Sequence, residues 1–158
     1  MKKLLPSLLI VAVVTIVSCL KNDDDYKPCV SKTVDEERPA MEKFATDSAI
    51  AFQRHQSGIL YEILEEGTGP APNATSNVTA KYTGRFLNGQ QFDASSTGIE
   101  FNLSGVIQGW TIAIPLIKEG GKIKMIIPSS LAYDCHPYYP QFQNQPLYFY
   151  VELVKVNN

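Results

Sequence analysis

The spacing of apolar and polar positions divides the chain into four regimes. Behind Lys2-Lys3, an apolar run from Leu4 to Val17 is interrupted only by Pro6, Ser7 and Thr15. Residues 20–35 are polar and carry Asn22-Asp23-Asp24-Asp25. Met41, Phe44, Ala45, Ser48, Ala49 and Phe52 then recur at helical spacing, which predicts a helix from Asp35 to Phe52 with one narrow small-to-apolar stripe. Pro39 suits an early helical position, and the acidic residues before it suit the positive end of the helix dipole.

From Gly58 the period shortens to two. Ile59–Leu64 predicts a strand closed by Gly67-Thr68-Gly69-Pro70, and Val78, Ala80 and Tyr82 alternate with Thr79, Lys81 and Thr83 in a second, half-buried strand. Asn88-Gly89 is a hairpin turn signal, from which Gln91-Phe92-Asp93 returns. Ala94–Gly98 reads as a Ser/Thr/Gly loop and Glu100–Leu103 as a short strand. Ile114 and Ile117 follow Trp110 at helical spacing, which predicts a short helix stopped by Gly120-Gly121; Pro115 within it removes a backbone donor, so the helix must start late or bend. Ile123, Met125 and Ile127 mark the next strand. Pro128–Pro146 is a long Pro- and Tyr-rich loop, and Leu147, Phe149, Val151 and Leu153 alternate through the closing strand. The sum is an α+β domain of residues 58–157, a small antiparallel sheet crossed by one short helix, preceded by a helical extension of residues 36–57.

The first apolar run spans about 21 Å as a helix, short of a hydrocarbon core of about 30 Å. It therefore reads as a signal peptide rather than a membrane span. Ile16-Val17-Ser18-Cys19 resembles a bacterial lipobox, in which the chain is cut before Cys19 and the sulfur is lipidated. Residues 1–18 are then a lipoprotein signal peptide and 19–35 a flexible acidic tether, on a protein of the bacterial outer membrane facing the periplasm or the surface. Membrane anchoring is through lipid on Cys19. Cys29 and Cys135 remain; in an oxidising compartment they form a disulfide or stay as free or intermolecular thiols, and spacing does not decide between these. Asp47-Ser48-Ala49 matches a short bacterial O-glycosylation pattern, a weak signal.

Net charge is −2, which gives no electrostatic footprint for nucleic acid. Two His and three Cys make no metal-ligand spacing, and no nucleophile motif or phosphate-cradling Gly loop is present. No metal or other cofactor is expected. What stands out is Val106-Ile107-Gln108-Gly109-Trp110, a strand-to-helix turn holding the only Trp. It reads as wall and floor of an apolar pocket that Tyr82, Phe92, Phe101, Tyr133 and Phe149 complete, with Asp93 and the Tyr82 hydroxyl as its polar groups.

Six blocks in order carry a resemblance: Lys81-Tyr82-Thr83-Gly84; Asn88-Gly89-x-x-Phe92-Asp93-x-Ser95; Val106-Ile107-x-Gly109-Trp110; Lys118-Glu119-Gly120-Gly121-Lys122; Ile127-Pro128-Ser129-x-Leu131-Ala132-Tyr133; and Val151-Glu152-Leu153. Over residues 58–156 they resemble the FKBP-type peptidyl-prolyl cis–trans isomerases. The resemblance implies a twisted antiparallel half-barrel wrapped over one short helix. It implies Trp110 as the floor of the site, with Tyr82, Phe92, Val106, Ile107 and Phe149 as walls and Phe101 and Tyr133 at the rim. Tyr133 and the Ile107 amide would hold substrate or macrolide carbonyls, and Asp93 matches a buried carboxylate that orients Tyr82. After Tyr133 the pattern departs: Asp134-Cys135-His136-Pro137-Tyr138-Tyr139-Pro140 stands where the family has Gly and later an apolar-Pro-Pro segment, and Phe142 is the candidate for the missing rim residue.

The expected activity is rotation of Xaa-Pro bonds in polypeptides, assisting folding in the envelope, with macrolide inhibitors of the family as ligands. The alternative is a non-catalytic binding module or holdase using the same pocket. The stripe on the extension also allows a homodimer through the N-terminal helix.

Overall fold

The computed structural model describes residues 28–157. The signal peptide and the lipidation position Cys19 lie outside the described residues. Helix α1 (Val34–Asp47) comes first, followed by β1 (Gln53–Arg54), β2 (Leu60–Glu65), β3 (Asn77–Phe86), β4 (Gln91–Asn102), α2 (Gln108–Ala113), β5 (Lys122–Ile127) and β6 (Leu147–Asn157). The strands form one sheet in the order β1-β2-β5-β6-β3-β4, and every pairing is antiparallel.

Alternation along the strands decides what each face covers. Ile123, Met125 and Ile127 of β5 and Leu147, Phe149, Val151 and Leu153 of β6 point into the main core with Trp110, Ala113 and Ile114 of the α2 segment. The intervening Ile126 and Tyr148 face the other way, where Leu60 joins them under Met41 and Ala45 of α1. The extension is therefore packed on the back of the sheet. α2 fills the inner face, and Gly109 lets it approach: a Cβ there would sit 2.4 Å from Ile127 Cγ2.

Four boundaries differ from the sequence reading. Helix α1 stops at Asp47 rather than Phe52, because Ala49 turns to φ 51° and Ile50 N–H bonds back to Ala45 O at 2.8 Å. Phe52 still packs on the α1 cluster, but from the chain leading into β1. The expected loop at 94–98 is strand: β4 runs unbroken from Gln91 to Asn102, with Ala80 opposite Ile99 and Tyr82 opposite Ser95, so the intervening residues of β4 bulge. Polar side chains hid this strand, since ladder pairing uses the backbone whatever the side chains are. The helix after Trp110 tightens into a 3₁₀ turn at Ile114–Leu116, where Pro115 has no N–H to continue the α-helix. Ile114 and Ile117 nevertheless both reach the core.

The fourth difference concerns the tether, expected to stay solvated as far as residue 35. Residues 29–33 are instead tied down. Cys29 is joined to Cys135, with Cα atoms 5.6 Å apart. Ser31 Oγ donates to Asp134 Oδ2 at 2.8 Å, and Asn144 Nδ2 donates to Val30 O at 3.0 Å. Thr33 then opens α1 through a capping box with Glu36, the side chain of each bonding the other's backbone N–H. Pro39 lies inside α1, in the second turn of a helix that begins at Val34, one residue before the expected start.

Candidate active site

The inner face of the half-barrel is open at one end, where a cleft of about 530 Å³ lies between β3, β4, the α2 turn and the 128–146 loop. Trp110, only 5% exposed, forms its floor. Three rings stand edge-on to the indole: Tyr82 at 5.2 Å, Phe101 at 5.3 Å and Phe149 at 5.2 Å between centroids. Edge-to-face contacts of this kind are favourable and fix ring orientation, so the cup has rigid walls.

Each wall has a local origin. Tyr82 and Phe149 face each other's strands across the β3–β6 pairing, where Gly84 lies opposite Phe149. Gly84 is needed there for space: a Cβ would lie 2.8 Å from ring atoms of both Phe149 and Phe92. Val106 and Ile107 come from the turn between a 3₁₀ turn at Leu103–Gly105 and α2. Thr111 Oγ1 locks that turn by donating to Leu103 O at 2.7 Å. Ile107 precedes the helix with extended backbone, so its N–H has no acceptor within α2.

The polar side of the cleft is a pair. Tyr82 donates its phenolic hydrogen to Asp93 Oδ2 at 2.7 Å, and Asp93 Oδ1 accepts from Ala94 N–H at 2.8 Å. Burial, and then the hydrogen bond to Asp93, push the Tyr82 phenol up to about 12. Tyr133 is also raised, by burial first and then by Tyr139 and Asp93. Asp93 is not the buried carboxylate expected from the resemblance: it sits exposed at the mouth of the cleft, because β4 is an edge strand there.

Of the residues singled out in the sequence, Tyr82, Phe92, Asp93, Phe101, Val106, Ile107, Trp110, Tyr133 and Phe149 all line this one cleft. Phe142 does not. It lies behind the wall, stacked on Tyr133 at 4.5 Å and edge-on to Phe92 at 5.1 Å. The rim position proposed for it is taken by His136 and Tyr139, which pack against each other at 5.1 Å between ring centroids. Sequence reasoning missed both, together with Ala132 and Gly105, because loop and turn residues carry no periodicity, and it missed Ile99 because the polar stretch before it hid that part of β4. Ser48 of the Asp47-Ser48-Ala49 triplet is exposed at the end of α1, remote in sequence from every cleft residue.

An edge-strand half-barrel around an indole-floored aromatic cup has counterparts among known proteins. A family model described as FKBP-type peptidyl-prolyl cis-trans isomerase matches residues 69–154. The isomerase FkpA of Escherichia coli strain K12 is 39% identical over 118 residues, which cover 73% of this chain and 43% of that protein. FkpA of Aeromonas hydrophila is 39% identical over 104 residues, 64% of this chain and 39% of the relative. Among solved structures, the crystal structure of Escherichia coli FkpA superposes with a TM-score of 0.68 at 38% identity, covering 78% of this chain and 58% of that one. A peptidyl-prolyl cis-trans isomerase from Pseudomonas syringae pv. tomato superposes with a TM-score of 0.67 at 31% identity, covering 82% of this chain and 99% of that one.

The chain belongs to the family of FKBP-type peptidyl-prolyl cis-trans isomerases. It spans less than half the length of the curated relatives it matches.

Proposed function

We propose that this protein accelerates cis–trans rotation of Xaa-Pro bonds in polypeptides, in the bacterial envelope, held to the membrane by lipid on Cys19. The observation that carries the first part is the cup itself, floored by Trp110 and walled by rings held edge-on to it. An Xaa-Pro amide resists rotation by about 18–20 kcal/mol because resonance gives its C–N bond double-bond character. The planar amide is the more charge-separated form, so a dry aromatic cup solvates it less well than water does. The twisted amide has lost that resonance and is penalised less. Differential binding of this kind lowers the barrier without transfer of a proton, about 1.4 kcal/mol for each tenfold in rate. Trp110, Val106, Ile107, Phe92 and Phe149 would enclose the proline ring, and Tyr133 and the Ile107 amide would hold flanking carbonyls. Asp93 would hold Tyr82 in place.

The test is exchange between cis and trans forms of a short Xaa-Pro peptide, followed by NMR or a protease-coupled assay, with and without a macrolide inhibitor of the family. Macrolide-sensitive acceleration, lost in Phe92→Ala and Asp93→Leu proteins that remain folded, is the expected result. For the anchor, Cys19→Ser should move the protein out of the membrane fraction; an unchanged distribution would refute lipidation there. Among the described residues no helix is long and apolar enough to cross a membrane.

A second reading has its own observation. Tyr138 is 84% exposed, Ile99 48% and Tyr139 43%, and the last two line the mouth of the cleft. Apolar surface there suits gripping an unfolded client without catalysis. Suppressed aggregation of a client with no acceleration of the peptide would favour that reading. Dimerisation through α1 has less room than the stripe suggested, since Met41 and Ala45 are already buried against the sheet.

A further inference from the structure

We infer that Glu37, on a helix outside the sheet that forms the cup, is a positioning residue for the rim tyrosine Tyr133; the inference rests on the isomerase reading above. Glu37 is only 3% exposed, whereas its neighbours Asp35, Glu36 and Arg38 are exposed. Burying a carboxylate is costly unless it is hydrogen-bonded, so a buried Glu on a docking helix marks a contact rather than a solvated face.

That contact leads to the site. Glu37 Oε2 accepts from Ser129 N–H at 2.8 Å. Ser129, fully buried, begins the tight turn that follows β5. Its carbonyl accepts from Ala132 N–H and from Asp134 N–H, each at 2.9 Å. These are the two amides that flank Tyr133. A single residue, held by Glu37, thus gathers the backbone on both sides of the rim tyrosine. Glu37 Oε1 makes no protein hydrogen bond, so the Ser129 amide is the partner that accounts for the buried carboxylate.

The same extension holds the chain just beyond Tyr133. Asp134 accepts from Ser31 Oγ at 2.8 Å, and Cys135 is bonded to Cys29. Asp134 sits at φ 46°, in the left-handed region that Asp adopts more readily than most non-glycine residues. Residues 29–37 thus bond to the chain on both sides of Tyr133, at Ser129 before it and at Asp134 and Cys135 after it.

The experiment uses the full chain with its disulfide intact. Specificity constants on short Xaa-Pro peptides are compared for wild type, Glu37→Ala, Glu37→Gln, Glu42→Ala, Tyr133→Phe and the Glu37→Ala/Tyr133→Phe double variant. Glu42 lies on the same helix and pairs with Arg54 at the surface, so it reports on helix docking alone. Thermal melts and Trp110 emission establish that each variant is folded. Glu37→Ala should lose about five- to twentyfold in kcat/KM. Glu37→Gln should stay within about twofold of wild type, since a carboxamide oxygen still accepts from Ser129 N–H, and Glu42→Ala should match wild type. In the Tyr133→Phe background the Glu37→Ala loss should shrink at least about threefold, the signature of coupled residues. Full activity in folded Glu37→Ala, a Gln variant no better than Ala, or losses that simply multiply would each overturn the positioning role. A wild type with no activity at all would sink the isomerase reading and this inference with it; an active wild type with an indifferent Glu37 sinks only the inference.

Discussion

The phenol of Tyr82 lies 2.7 Å from Asp93 Oδ2, across neighbouring strands β3 and β4, and donates its hydrogen to it. This bond closes the polar side of a cleft that is otherwise aromatic. It also makes Tyr82 reluctant to ionise, because both burial and the adjacent carboxylate oppose the phenolate.

A pH dependence follows, and its sign is fixed. With a phenol at about 12 in the folded chain and near 10 when unfolded, the folded state keeps a proton that the unfolded state loses between those values. The stabilisation is complete below about pH 10 and disappears as pH rises to about 12. Tyr150, raised to about 12 by burial and by Glu152, behaves in the same way. Titration of phenolate absorbance should show late-ionising tyrosines, and Tyr82→Phe should remove one of them. A Tyr82 that ionises with the exposed tyrosines would refute the bond.

Gly84→Ala should harm the site from a distance. The added methyl would meet Phe92 and Phe149 at 2.8 Å, and both rings line the cleft. Overpacking of this kind costs about 1–3 kcal/mol, and the displaced rings should lower kcat/KM at least about tenfold. Wild-type rates from a folded Gly84→Ala protein would show that ring placement is not limiting.

Gly109→Ala should act on stability. Its Cβ would come within 2.4 Å of Ile127 Cγ2, so α2 must lift from β5, at a cost of about 1–3 kcal/mol. Gly105→Ala makes the comparison, since nothing lies within 4 Å of a Cβ there. Denaturant melts of the pair should separate clearly, and equal midpoints would refute close packing of α2 against Ile127.

The bond between Cys29 and Cys135 spans 106 residues of sequence. Cross-links over long loops stabilise by about 2–4 kcal/mol, chiefly by restricting the unfolded chain. Reduction, or Cys29→Ser with Cys135→Ser, should lower the melting temperature while leaving the far-ultraviolet spectrum intact. Alkylation of the non-reduced protein should leave both cysteines unlabelled; labelling at either one would contradict the pairing.

Trp110 is the only tryptophan, and it forms the floor of the cleft. Its emission should therefore shift when an Xaa-Pro peptide or a macrolide binds, and Phe92→Ala should weaken the titration. Emission that ignores a bound ligand would place the ligand elsewhere.

Much of this molecule was legible in the chain because periodicity reports which side chains must leave water. The two-residue alternation in β3, β5 and β6 and the lone tryptophan behind Val106-Ile107 sufficed for the sheet, the short helix and nine of the residues that line the cleft. Stretches without that pattern were not legible. The bulged part of β4 is polar on both sides, and the loop that brings His136 and Tyr139 to the rim, with Phe142 behind, has no period.

Glu37 shows the remaining gap most plainly. It lies on the same stripe of α1 as Met41 and Ala45, one turn earlier, yet its charge argues for solvent. Sequence by itself determined which residues could build an aromatic cup. Only the tertiary structure decided that a buried carboxylate on the N-terminal helix would hold the turn behind its rim, because the partner is a backbone amide 92 residues away and backbone amides leave no mark in a sequence.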